Sequence, residues 1–326
     1  MKTKKLRLSA LFGAGALALT AVVAGSAIAG KPTAKTKVRQ VSQQLQLPAQ
    51  STNAGVAETT VACPKGTTVT GGGATYPPGT PLSNALVAEL FESGPSGNGW
   101  HVRHDNDTAG NTPVTTTASA LCLKNKLKVK GLDGKAKVKI KQASLPVQLP
   151  PQSTNLGVAE FDVACPKGTQ VLGGGVVFAA GTALTDSIQL FESGPSSNGW
   201  HARIDNDTPD IRNATVSARC LANKLKVKGS KAKAVTKVRS IDRAVQLPAQ
   251  ATNLGLAEFD VACPNGFKLV GGGSLFAAGT PITVDTELFE SGPSENAWHV
   301  RYDNDQAQVQ GASVHALCLK GKLKVK

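Results

Sequence analysis

The sequence predicts an all-β chain: a signal peptide followed by three tandem antiparallel β-sandwich modules, each stapled by a disulfide. Three observations carry this. One segment of about one hundred residues recurs three times, each copy holds two cysteines at equivalent places, and apolar residues alternate with a period of two.

The repeat is plainest around Trp100, Trp200 and Trp298, which sit in FESGPSGNGWHVRHDND, FESGPSSNGWHARIDND and FESGPSENAWHVRYDND. Upstream, each copy carries TN-x-G-x-AE, then VACP-x-G, then a glycine triplet at Gly71 to Gly73, Gly173 to Gly175 and Gly271 to Gly273. Downstream, each closes on Ala-x-Cys-Leu and Lys-Leu-Lys-Val-Lys. The organisation is therefore 1–29 for the signal, then modules at 30–130, 131–228 and 229–326. Such units have the size of an independent domain and are too long for a solenoid repeat.

The leader has a basic start (Lys2, Lys4, Lys5, Arg7), an apolar stretch from Leu11 to Val23, and Ala27-Ile28-Ala29 before the cut. The stretch is short and rich in Gly and Ala for a membrane span, which needs about 20 strongly apolar residues. The mature chain is thus expected to carry no transmembrane segment and to be secreted, or held loosely at the cell wall by non-covalent contacts. Residues 31–326 retain 32 basic and 22 acidic residues. That excess favours polyanions such as wall polymers, nucleic acid or acidic polysaccharide, without choosing among them.

Six cysteines in an exported chain point to disulfides. The repeat reduces the possible pairings to Cys63–Cys122, Cys165–Cys220 and Cys263–Cys318. Loops of that length are stabilised by roughly 4 kcal/mol each on a chain-entropy argument.

The middle copy shows the strands best. Phe161, Val163 and Cys165 share one face, with Glu160 and Asp162 on the other. Pro166-Lys167-Gly168 is turn chemistry. A strand runs through Gly173 to Gly175, where a bulge or a close backbone approach is expected. Trp200, Ala202 and Ile204 face in, while His201 and Arg203 face out. The late tryptophan excludes the immunoglobulin pattern, in which that residue lies on the third strand.

The combination Cys-Pro-x-Gly, Gly-Gly-Gly, Trp-His and Ala-x-Cys resembles exported repeat modules of high-GC Gram-positive bacteria. The resemblance implies the fold class and export, and carries over no functional residues.

The joints between modules hold the main candidate site. Lys124, Lys126, Lys128, Lys130, Lys135, Lys137, Lys139 and Lys141 alternate with apolar residues around Asp133-Gly134, a hairpin pattern. Lys224, Lys226, Lys228, Lys231 and Lys233 repeat it around Gly229 and Ser230. Pairing across each joint gives a stiff connection and a rod of three units. The lysines would form a polyanion-binding cradle for an anionic polymer of the cell envelope or matrix, with salt-dependent binding. The plainer reading is a solvated linker, or an edge strand whose lysines block aggregation.

The alternative function is a lectin-like or protein-binding module using the tryptophan and Asp-Asn-Asp loops. Asp105-Asn106-Asp107, Asp205-Asn206-Asp207 and Asp303-Asn304-Asp305 offer oxygen ligands for calcium, with Glu92, Glu192 and Glu290 as possible additions. Their spacing suits a self-capping turn better. One histidine per module (His101, His201, His299) is too few for zinc, and with Arg103, Arg203 and Arg301 these read as a solvated strand face. No nucleophile elbow, His-Glu-x-x-His or phosphate loop occurs. The expectation is a non-enzymatic chain with no cofactor and no metal.

Overall fold

Among the described residues, alternation along the chain produces eight strands per repeat in the computed structural model. It describes residues 31–49, 56–77, 80, 89–106, 113–154, 157–179, 182, 188–250, 255–277, 280 and 286–326. The expected signal at 1–29 and Asp107 lie outside the described residues. The first repeat holds β1 (Thr33–Lys35), β2 (Val38–Leu47), β3 (Ala57–Ala62), β4 (Thr67–Thr75), β5 (Leu90–Ser96), β6 (Gly99–His104), β7 (Val114–Lys124) and β8 (Lys126–Lys130). The second holds β9 (Lys135–Lys137), β10 (Ile140–Leu149), β11 (Ala159–Ala164), β12 (Thr169–Phe178), β13 (Ile188–Ser196), β14 (Gly199–Asn206), β15 (Arg212–Ala222) and β16 (Lys224–Lys226). The third holds β17 (Lys233–Val235), β18 (Val238–Leu247), β19 (Ala257–Ala262), β20 (Phe267–Phe276), β21 (Thr286–Ser294), β22 (Ala297–Asn304), β23 (Gln310–Lys320) and β24 (Lys322–Val325).

Each repeat folds into two three-stranded antiparallel layers. In the first repeat these are β2-β7-β4 and β3-β6-β5. The disulfide links the layers: Cys63 follows β3, and Cys122 lies within β7. Cys165–Cys220 and Cys263–Cys318 do the same in the other copies, as the repeat pattern predicts. The stapled, sandwich-like module is therefore present within each repeat.

The layers do not end at the repeat boundary. The six-stranded sheet β10-β15-β12-β5-β6-β3 joins half of the second repeat to half of the first. The sheet β18-β23-β20-β13-β14-β11 joins third to second, and β2-β7-β4-β21-β22-β19 joins first to third. The three junctions are the antiparallel pairs Val176↔Ser93, Ser193↔Ser274 and Ser291↔Ala74. Residues 31–326 thus form one compact unit. The expected rod of independent domains gives way to a closed ring. The physical reason is that half-sheets with unpaired central edges complete one another in rotation, which leaves no free edge at the junctions.

The glycine triplets are the hub of that ring. Register shifts fall between Val69 and Gly71, Val171 and Gly173, and Leu269 and Gly271, which places the expected bulge at the triplet. The first glycines approach one another: a Cβ on Gly71 would meet Gly271 Cα at 2.7 Å, and one on Gly173 would meet Gly71 Cα at 3.1 Å. A Cβ on Gly72 would lie 2.4 Å from Trp100 Cγ. Each tryptophan is 2% exposed and fills the core; the Trp100, Trp200 and Trp298 indole N–H groups donate to the hydroxyls of Ser93, Ser193 and Ser291 at 3.0–3.1 Å.

A fourth sheet caps one end of the ring. Its order is β16-β17-β24-β1-β8-β9. The bridge Ala136↔Val227 and the bond from the Lys228 N–H to the Lys135 carbonyl (3.1 Å) bring β9 back to the end of β16. The result is a small six-stranded barrel. Two of its hairpins, β8-β9 and β16-β17, are the predicted joints. The third is assembled from the two ends of the described chain, β1 against β24. Alternation fills the inside with Ala34, Ala136 and Ala234, with Leu127, Leu225 and Leu323, and with Val129, Val227 and Val325.

Candidate functional site

Period-two alternation that buries alanine, leucine and valine inside the barrel must turn the intervening lysines outward. All thirteen candidates are exposed: Lys124, Lys126, Lys128, Lys130, Lys135, Lys137, Lys139, Lys141, Lys224, Lys226, Lys228, Lys231 and Lys233. Several face each other directly across the ladder, as in Lys126↔Lys137, Lys128↔Lys135 and Lys226↔Lys233. The third hairpin adds lysines that sequence reasoning missed, including Lys35, Lys322, Lys324 and Lys326, with Lys35 opposite Lys322. The signal was available. Thr36-Lys37-Val38-Arg39 repeats as Thr236-Lys237-Val238-Arg239, and the closing Lys-Leu-Lys-Val-Lys matches both joints.

The charge on this cap is one-sided. Segments 31–37, 124–141, 224–237 and 320–326 hold 21 lysines and one acidic residue, Asp133. The rest of 31–326 holds 11 basic and 21 acidic residues. Eight of the lysines line a groove of about 1010 Å³ along β1 and β8.

The opposite ends of the sheets carry the acidic turns. β6 ends at His104, and β7 begins at Val114 opposite Leu47, the end of β2 farthest from the cap. The Asp-Asn-Asp segments there are tied to the backbone. Asn206 Nδ2 donates to Pro150 O (2.8 Å) and Asp210 O (2.9 Å), and its Oδ1 accepts from the Thr208 hydroxyl at 2.6 Å. Asn304 Nδ2 bonds Pro248 O and Gln308 O in the same way. This is turn chemistry. Burial, reinforced by Asp207 and Asp305, raises Asp205 and Asp303 to about 6.

Glu92, Glu192 and Glu290 do not join those turns. They are buried between repeats: Glu92 Oε1 accepts the Phe178 N–H at 2.6 Å, Glu192 the Phe276 N–H at 3.0 Å, and Glu290 the Tyr76 N–H at 2.8 Å. Arg103, Arg203 and Arg301 reach them at 3.2, 3.0 and 2.8 Å and also clasp Glu58, Glu160 and Glu258. Burial pushes Glu192 up from the usual carboxylate range, and Arg203 pulls it back.

These arginines are 7–8% exposed, which corrects the expectation of a solvated strand face. Glu58, Glu92 and His101 place ligand atoms within 4.8 Å of one another. Arg103 already supplies the cation there, so the set reads as an interface clasp. Among the described residues the tryptophans present no ring to a ligand.

The chain matches no known protein family and no curated protein. Three disulfides fit an extracellular compartment. Among the described residues no helix is long and apolar enough to cross a membrane.

Proposed function

We propose that this is a secreted, non-enzymatic polyanion-binding protein. It engages an anionic polymer of the cell envelope or extracellular matrix through the lysine cap. One observation carries the reading: lysines face lysines across a closed barrel. Like charges directly opposite on a sheet are destabilising, so the cap sacrifices stability to hold them. The aggregation-blocking alternative needs an edge to protect, and the bridge Ala136↔Val227 leaves the cap without one. A cap with twenty excess positive charges attracts anions by a field that salt weakens within about 10 Å at 0.1 M.

Export rests on the leader at 1–29 and on the disulfides. The repetition of the ribbons suits avidity, since linked weak contacts gain effective concentration.

The test is co-sedimentation of residues 31–326 with purified bacterial cell walls at 50 and 300 mM NaCl. Binding at low salt that disappears at high salt is expected. A variant with the joint lysines changed to glutamine should stay folded and no longer sediment. Unchanged binding by that variant overturns the reading.

A further inference from the structure

We infer that the groove along β1 and β8 seats a linear phosphodiester polymer; this rests on the polyanion reading above. The groove takes lysines from five strands, β1, β7, β8, β9 and β24, including Lys35, Lys126, Lys128 and Lys322. Along β8, Lys126, Lys128 and Lys130 recur at every second residue, after the bend at Asn125 that separates them from Lys124 at the end of β7. Two residues of antiparallel strand advance about 6.8 Å, so this row spans about 14 Å.

A phosphodiester backbone with three carbons between phosphates has six bonds per charge. That is twice the three bonds of a peptide unit, which span at most ~3.6 Å, so its charges recur about every 7 Å. Three consecutive phosphates therefore match the three lysines of β8 without either chain leaving its extended form. Inorganic polyphosphate, with two bonds per charge, crowds its charges far closer than the lysine row.

The centre of the groove differs from the rest of the cap. Thr33 pairs with Lys324 on one side and Lys130 on the other. The equivalent positions in the other hairpins are Lys135 and Lys233. A neutral residue flanked by two lysine rows leaves room for a backbone between them. Its hydroxyl can donate to a phosphate oxygen, and lysine suits phosphate as a mobile point charge.

Fluorescence anisotropy with residues 31–326 tests the assignment. The probes are labelled oligothymidylates of two to twelve phosphates, poly(glycerol phosphate) of matched charge, and polyphosphate. Affinity should climb steeply to about three phosphates and then flatten. With three phosphates neutralised on a single strand, affinity should fall about 20-fold between 50 and 200 mM salt.

Two quadruple variants remove equal charge. One changes Lys35, Lys126, Lys128 and Lys322 to glutamine, and the other Lys224, Lys226, Lys231 and Lys233. Each contact is worth roughly fourfold at 0.15 M salt, so the groove variant should lose up to about 50-fold and its counterpart at most about tenfold. Equal losses would overturn the groove while leaving the polyanion reading intact. No loss in either variant would overturn that reading too. Polyphosphate binding as tightly per charge would overturn the phosphodiester assignment. Tighter binding of poly(glycerol phosphate) than of oligothymidylate, or the reverse, supports the shared chemistry and identifies its source.

Discussion

Gly175→Ala is the sharpest probe of the ring. Its added Cβ would sit 1.8 Å from the Ser93 carbonyl oxygen and 2.8 Å from Gly94 Cα, both on the neighbouring repeat. Neither obstacle is a side chain that can swing away. β5 and β12 would have to part by more than 1 Å at the one pair that joins their half-sheets, Val176↔Ser93. Overpacking a core commonly costs 1–3 kcal/mol, and a backbone-on-backbone collision belongs at the top of that range, about 3 kcal/mol. A chain of this size loses roughly 2 °C of Tm per kcal/mol, so a fall of about 6 °C is expected by calorimetry. Gly73→Ala and Gly273→Ala should behave alike, since their Cβ atoms would meet Ser291 O at 1.8 Å and Ser193 O at 2.0 Å. Gly311→Ala is the control. Nothing lies within 4 Å of its Cβ, and a change there should be neutral or gain up to about 1 kcal/mol. A Gly175→Ala variant as stable as that control would refute the sharing of sheets between repeats.

Two further outcomes follow from the same geometry. The middle repeat alone, residues 131–228, should show no cooperative unfolding as a monomer, because each half-sheet lacks its partner and Glu192 lacks the Phe276 N–H; a folded monomer in analytical ultracentrifugation with circular dichroism would contradict the ring. Asp205 and Asp303, raised to about 6 from 3.8, hold protons in the folded chain that the unfolded chain has already released, so their contribution to stability falls as pH rises from about 4 to 6. Asp205→Asn with Asp303→Asn should therefore raise Tm at pH 7 and leave it unchanged near pH 4, and a loss at pH 7 would reverse the sign.

Much of the local structure was legible in the chain because each signal is short-range. Alternation marked the strands, the position of the cysteines fixed their pairing, Asp133-Gly134 marked a hairpin, and the glycine triplet announced a close approach. The exchange of half-sheets was not legible, because repeats of near-identical sequence make pairing within and between copies chemically equivalent. Ser93 meets Val176, while its own repeat's counterpart, Ala74, meets Ser291; only the geometry of three bodies around one hub decides which. Arg103 escaped for a related reason. The buried Glu92 that draws the guanidinium inward is brought there by a bulge between Leu90 and Glu92. The candidate site was two-thirds visible, since β1 and β24 look like loose ends until they are laid side by side.

That adjacency sets a rule for when the molecule can exist. Thr36 hydrogen-bonds Lys320, 284 positions later, and Lys35 lies opposite Lys322. β1 must wait for β24, and contacts so distant in sequence are slow to form. A chain emerging with its first residues leading would hold its cap open until β24 arrives. The ring closes when β21 reaches β4, and the arrival of β24 then completes the barrel and its lysine surface together.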